Sequence, residues 1–128
     1  MVVPVIKDVD KKSIVELSKE LSDLSQRARE KKLRPDELQS GTFTISSLGG
    51  VGGTFFTPII NPPEVAILGI SKSSWENVYN HETKSESPNY IMPFSLSYDH
   101  RVIDGVGGAT FTSRFAEILE DISNFSDK

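Results

Sequence analysis

The chain opens on an apolar, β-branched run, Val2-Val3-Pro4-Val5-Ile6, which predicts a strand. A strand that starts so abruptly, with no lead-in or partner, reads as the edge of a longer protein. Asp8 and Asp10 then offer N-caps for a helix. From about Lys11 to Lys32, the residues Ile14, Leu17, Leu21, Leu24 and Ala28 recur at alternating steps of three and four, one narrow stripe of an amphipathic helix. Pro35 bars its continuation. Gly41 opens a strand over Thr42–Ser46, with Phe43 and Ile45 on one face and Thr42, Thr44 and Ser46 on the other. Gly49 to Gly53 reads as a flexible loop, and Asn61-Pro62-Pro63 as a turn. Glu64 to Lys72, with its run Val65-Ala66-Ile67-Leu68, predicts a buried strand that Trp75 to Tyr79 could extend, and His81 to Asn89 reads as a polar hairpin tip.

Ile91 to Tyr98 predicts a further strand, with Phe94, Leu96 and Tyr98 on one face and Ser95 and Ser97 on the other. Its end delivers Asp99 and His100. A second helix follows Asp104-Gly105 and runs to about Ile122, with an apolar face of Phe111, Phe115, Ile118, Leu119 and Ile122. The tail Ser123 to Lys128 is expected to fray. Strands flanked by two long helices predict an α/β chain: a two-layer sandwich, a mixed sheet with both helices on one face.

Composition narrows the chemistry. With 128 residues, the chain is long enough for one domain that buries roughly two-thirds of its surface. It has no Cys, which excludes disulfides, thiolate metal sites and a thiol nucleophile. A net charge of −4 argues against a nucleic-acid binder. No apolar run approaches the ~20 residues of a membrane span, and the first residues lack the pattern of a signal peptide.

The stretch Ser97-Tyr98-Asp99-His100-Arg101-Val102-Ile103-Asp104-Gly105 carries the candidate chemistry. A strand ends on a His, and an Asp four residues later precedes a Gly and a helix. Imidazole is the usual proton acceptor at neutral pH, and a nearby carboxylate can orient it. The plain alternatives are a structural or solvated His100 and an Asp104 that only caps the helix. A metal site of His100 with Asp99 or Asp104 is weaker, since His81 is the only other His and lies in a polar loop. A kinase catalytic loop is disfavoured because Val102 stands where Asp is needed, and the Gly49–Gly53 loop lacks the spacing of a phosphate cradle. Ser46 ends a strand beside that loop. Without a Gly-x-Ser-x-Gly elbow it suits a hydroxyl donor to a developing oxyanion better than a nucleophile, with an ordinary strand-end serine as the alternative. Arg27, Arg29, Lys31, Lys32 and Arg34 could meet phosphates, but read more simply as a solvated helix C-terminus.

The heptapeptide Asp99-His100-Arg101-Val102-Ile103-Asp104-Gly105 resembles the active-site signature of the dihydrolipoamide acyltransferases of 2-oxo acid dehydrogenase complexes, a branch of the chloramphenicol acetyltransferase-like superfamily. Gly41 to Gly49 and Pro58 to Gly69 resemble two further family segments, and the opening run followed by a long helix fits as well. The resemblance implies a partial chloramphenicol acetyltransferase-like fold, with residues 1–128 forming the C-terminal portion of the catalytic domain and the lipoyl and subunit-binding domains absent. It implies His100 as general base toward the attacking thiol, Ser46 as oxyanion donor and Asp104 as the residue holding the loop and the His orientation. Coenzyme A would be a substrate, lipoyl-lysine would come from a separate lipoyl domain, and no metal is implied. Ser47-Leu48-Gly49-Gly50 looks most like the pyruvate-type, acetyl-transferring members; branched-chain or succinyl transfer, or an inactive assembly fragment, are the alternatives. A chloramphenicol-type antibiotic acetyltransferase is disfavoured by Asp99 and by the Ser46 segment. The implied partners are two further copies in a homotrimer, with His100 of one copy facing Ser46 of the next, a large core built from trimers, and the decarboxylase and dihydrolipoamide dehydrogenase components. Neither nucleic acid nor membrane is implied, and the compartment would be the cytoplasm of a bacterium or the mitochondrial matrix of a eukaryote.

Overall fold

The computed structural model describes residues 2–125; the expected frayed tail continues beyond them, outside the described residues. Two compact units emerge, one of residues up to Thr42 with those from Thr110 onward, the other of Phe43–Ala109.

In the first unit, helix α1 spans Ile14–Arg29. Neither Asp8 nor Asp10 caps it. Ser13 does, accepting the Glu16 N–H on Oγ at 3.2 Å while the Glu16 carboxylate accepts the Ser13 N–H at 2.8 Å. This reciprocal box satisfies two of the helix's orphan donors, and the sequence Ser13-x-x-Glu16 already spells it. Asp8 instead begins a 3-10 turn at Val9–Lys11. At the other end the Lys32 N–H donates to Arg27 C=O and the Lys31 N–H to Ala28 C=O, with Lys31 at φ 57°. That is a Schellman closure with lysine at the left-handed position usually taken by glycine. Of the predicted stripe only Leu24 is fully buried, while Ile14 and Leu21 are exposed.

The run Val2 to Ile6 is not a strand. Among the described residues its one backbone bond to another segment is from the Val5 N–H to Glu37 C=O, 2.8 Å, and β-branched sequence without a neighbouring strand cannot form a ladder. Glu37 lies in a 3-10 turn, Pro35–Leu38. Its carboxylate accepts from the Arg27 guanidinium (2.8 Å) and the Arg34 N–H (2.8 Å). Those donors hold Glu37 down to about 2, well below the usual carboxylate range. Arg27 also reaches Asp23 at 2.7 Å, and Lys32 pairs with Glu30 at 2.8 Å. Within the basic cluster Arg27, Lys32 and Arg34 therefore have local acidic partners.

The second unit is built on a mixed three-stranded sheet in the order β1 (Thr44–Ser47), β2 (Ala66–Ile70), β5 (Phe94–Tyr98). β2 runs parallel to β1 and antiparallel to β5. As central strand it buries Ala66, Ile67, Leu68 and Gly69 in succession, which explains its unbroken apolar sequence. The predicted alternation along β1 holds, but its faces are inverted: Thr44 is buried and Ile45 is 61% exposed. Burial of the Thr44 hydroxyl is offset by its hydrogen bond to the Glu64 carboxylate at 2.5 Å.

Trp75 to Tyr79 does not extend β2. It belongs to β3 (Ser74–Asn80), which pairs antiparallel with β4 (Ser85–Ile91) in a separate ribbon, Trp75 facing Tyr90. The polar stretch read as a tip is mostly strand. The turn itself occupies only residues 81–84, where Asn80 Oδ1 accepts the N–H groups of Glu82 and Thr83. The strand predicted over Ile91–Tyr98 is likewise broken at Met92-Pro93, because proline has no N–H to give to a ladder.

Helix α2 spans Gly105–Glu120, and Phe111 stacks on Phe115 with ring centroids 6.4 Å apart. It stops short of Ile122, which is 83% exposed, because Asp121 accepts the Ser123 N–H and starts a new turn, Ile122–Phe125. The accessible surface of the chain is 9812 Å², about half of the ~20,600 Å² expected unfolded. The expected two-thirds burial is not reached. Among the described residues no helix is long and apolar enough to cross a membrane.

Candidate active site

The His100 turn is built from Asp99. The Asp99 N–H closes the sheet by donating to Val65 C=O (2.8 Å), and its own C=O accepts from Val102 and Ile103. Its carboxylate grips Arg101 three ways: the backbone N–H at 3.0 Å, Nε at 2.9 Å and a terminal guanidinium nitrogen at 2.6 Å. These bonds lower the Asp99 carboxyl to about 2 and raise Arg101 above its ordinary value. His100 sits between the two ends of this clasp, exposed. Among the described residues its ring makes no hydrogen bond, and its ring contact is with Tyr98.

Asp104 caps α2. Its Oδ1 accepts the Gly107 N–H at 2.7 Å and its C=O accepts the Gly108 N–H at 3.0 Å. The helix therefore starts where the His100 turn ends, and one residue fixes both. No hydrogen bond joins Asp104 to His100 among the described residues, so any influence on the imidazole passes through the turn.

Ser46 lies one residue before the end of β1, half-buried. Its register partner is Gly69, which in turn pairs with Ser95. The Phe56 ring covers Gly69, and a Cβ there would stand 2.9 Å from its Cζ. Ser95 donates its hydroxyl to Phe56 C=O at 2.5 Å, pinning that cover. The Ser46 hydroxyl has no protein partner among the described residues and is thus available to a ligand. Beyond Ser46 the Gly49–Gly53 loop is closed tightly, with Val51 and Gly52 N–H groups on Leu48 C=O and Gly53 at φ 86°.

The structure does not bring Ser46 and His100 together within the chain. Ser46 is level with Gly69, while Tyr98, at the other end of the sheet, is level with Ala66. Three rows at about 3.3 Å and two strand spacings of about 4.8 Å separate Ser46 from Tyr98 by roughly 14 Å, and His100 lies farther on. Among the described residues no group of three His, Asp or Glu side chains could hold a metal ion, His100 with Asp99 or Asp104 included. Arg101 and Tyr98 join His100's surroundings without having stood out as candidates in the sequence. The acid-x-base spacing Asp99-x-Arg101 was the legible signal for the first, and the strand period linking Tyr98 to His100 for the second.

Over residues 1–126 the chain matches the 2-oxoacid dehydrogenases acyltransferase (catalytic domain). It is 57% identical over 122 residues, 95% of its length, to the dihydrolipoyllysine-residue acetyltransferase component of the pyruvate dehydrogenase complex of Haemophilus influenzae. It spans only 21% of that relative. Its fold superposes with a TM-score of 0.91, at 54% identity, on the dihydrolipoamide acetyltransferase of Azotobacter vinelandii, studied for the role of a serine, a histidine and an asparagine in its catalytic mechanism. A chain of the cubic core of the pyruvate dehydrogenase multienzyme complex gives 0.91 at 53% identity. The match covers 94% of this chain and 49% of each of those two.

Proposed function

The chain belongs to the 2-oxoacid dehydrogenase acyltransferases, and on that footing we propose that it carries the base and the oxyanion donor for moving an acetyl group from S-acetyl-dihydrolipoyl-lysine to coenzyme A. The acetyl-transferring subtype follows the pyruvate-type relatives. We read the 128 residues as the C-terminal portion of a catalytic domain, on the strength of the Asp99–Gly105 signature near their end.

A thiol of ordinary pKa near 8.5 is mostly protonated at pH 7. His100 takes the coenzyme A thiol proton as the sulfur attacks the thioester carbonyl. The new C–S bond places negative charge on the carbonyl oxygen, toward which Ser46 donates its hydroxyl, a contact of the kind typically worth about 3–4 kcal/mol. Collapse of the tetrahedral intermediate breaks the bond to the dihydrolipoyl sulfur, and the imidazolium returns its proton to that sulfur. Asp104 holds the turn that presents His100. Where the Azotobacter relative has its asparagine four residues after the histidine, the position four residues after His100 is Asp104, and either side chain offers an oxygen to the Gly107 N–H.

The observation that carries this reading is the separation of Ser46 from His100 across the sheet. An unpartnered hydroxyl and an unpartnered imidazole, each on a rigid support, make one reaction site only if a second copy supplies the complement. That is the arrangement expected of a trimer in a larger core. The test is acetyl transfer by the full-length protein to coenzyme A. His100→Ala should abolish turnover and Ser46→Ala should cut it by about 10²–10³-fold; retained turnover in His100→Ala overturns the base assignment.

A further inference from the structure

Tyr98 stands two residues before His100 on the strand that delivers it, and the two rings lie 5.8 Å apart between centroids at a tilt of 40°. The tyrosine ring also abuts α2. Gly108 is buried there, and a Cβ on it would fall 2.7 Å from Tyr98 Cε1, 3.0 Å from Cζ and 3.2 Å from the hydroxyl oxygen. Real side chains do not come that close, so the ring occupies the space that any residue larger than glycine would fill. The seat itself is fixed, since the Gly108 N–H bonds to Asp104 C=O at 3.0 Å and Asp104 Oδ1 caps the same turn through Gly107. Asp104, Gly108, Tyr98 and His100 thus form one chain of contacts that starts and ends on the 99–104 turn.

We propose that Tyr98 is a positioning residue for His100: its ring, seated flush on Gly108, is the wall that selects the imidazole's rotamer. This rests on the reading of His100 as the base. No other described residue hydrogen-bonds to the imidazole, so the neighbouring Tyr98 ring bears on its orientation. An exposed imidazole has several staggered wells open to it. A ring wall on one side removes those that would point the imidazole back over the sheet. The hydroxyl of Tyr98 has no part in this, so phenylalanine should serve and a flexible aliphatic should not.

The experiment compares kcat and the KM values for coenzyme A and dihydrolipoamide in the full-length protein. Tyr98→Leu and Gly108→Ala should each lower kcat by about ten- to a hundredfold, the scale of a misplaced reacting group, with both KM values within about twofold of the parent. Tyr98→Phe should keep the parent kcat. A parent-like kcat in Tyr98→Leu and Gly108→Ala overturns the proposal, as does a Tyr98→Phe as slow as Tyr98→Leu. Should Tyr98→Leu fail to fold, Gly108→Ala decides alone, because it retains every ring. Loss of turnover in His100→Ala together with parent-like kcat in the two wall variants refutes the wall alone; turnover retained in His100→Ala refutes the base and the wall together.

Discussion

Ser46 and His100 stand at opposite ends of one three-stranded sheet, Ser46 in the row of Gly69 and His100 beyond the row of Ala66. A hydrogen-bonded general base works over about 3 Å. The gap therefore predicts complementation between defective copies. Full-length Ser46→Ala and His100→Ala proteins, each inactive or nearly so, should regain activity when co-assembled at equal amounts, approaching about a quarter of parental sites if pairing is random. Each restored site would combine the histidine of one copy with the serine of another. Acetyl transfer after co-expression measures this, and a mixture no more active than its components would place both groups of a site on one chain.

The cap at α2 separates two roles for Asp104. Asp104→Asn retains an oxygen for the Gly107 N–H and should leave stability within a few tenths of a kcal/mol, whereas Asp104→Ala removes the cap and should cost about 1 kcal/mol. Acetyl transfer should follow the cap: near parental for Asn, reduced for Ala. Chemical denaturation and turnover on the same preparations check both. A slow but fully stable Asp104→Asn would mean that the carboxylate charge itself acts at the site.

Asp99 and Glu37 fix an acid limit. Each carboxyl is lowered to about 2 in the folded chain, chiefly by the side-chain hydrogen bonds of Arg101 and Arg27 respectively. A depressed folded pKa contributes stability that is fully present above the unfolded value near 4 and is lost as pH falls toward 2. Unfolding midpoints should be level from neutrality to about pH 5 as far as these two groups are concerned, then fall steadily. Asp99→Asn and Glu37→Gln should each flatten that fall, and a variant with the parent's acid slope would show that its carboxyl is not depressed. Salt should weaken the Asp99 effect more than the Glu37 effect, since Arg101 is exposed while Arg27 and Glu37 are both part-buried.

Much of this was legible before any coordinates. The long stripe of α1, the buried run of β2 and the turn from Asp99 to Gly105 all follow from spacing and residue type, because each is decided within a few residues of sequence. Ile45 shows what is not. The pattern Thr42 to Ser46 alternates as a strand should, yet the polar side is the buried one, because Glu64, twenty positions away, supplies Thr44 with a partner. Trp75 to Tyr90 failed for a related reason: a polar sequence became two paired strands through cross-strand contacts that no single stretch displays. Ser46, His100 and Asp104 stand out in the sequence one by one as candidates, but the distance between Ser46 and His100 appears only once strand order and register are known.

Gly69 should tolerate no side chain. In Gly69→Ala the new Cβ would meet Phe56 Cζ at 2.9 Å and the Ser95 hydroxyl at 3.0 Å. Phe56 cannot simply withdraw, since its carbonyl is held by that same hydroxyl. Overpacking of this kind typically costs about 1–3 kcal/mol, and here it acts one strand away from Ser46. The variant should therefore lose both stability and turnover, while the conservative Ser95→Ala, which frees Phe56 to move, should partly restore Gly69→Ala when combined with it. Thermal melts of the single and double variants measure the coupling, and strict additivity would show that Phe56 does not transmit the clash.

Lys31 offers the opposite sign. It closes α1 at φ 57°, where a side chain costs roughly 1–2 kcal/mol and glycine nothing, and its backbone N–H and that of Lys32 already satisfy the last carbonyls. Lys31→Gly keeps both hydrogen bonds and removes the Cβ. Part of the gain is offset by the greater freedom of glycine in the unfolded chain. Removing one cation from the helix C-terminus subtracts a few tenths of a kcal/mol more. The net expectation is a stabilisation of about 0.5 kcal/mol in denaturant unfolding, with acetyl transfer unchanged because Lys31 lies outside the site. A destabilised Lys31→Gly would mean that the lysine side chain contributes more at the helix end than its backbone conformation costs.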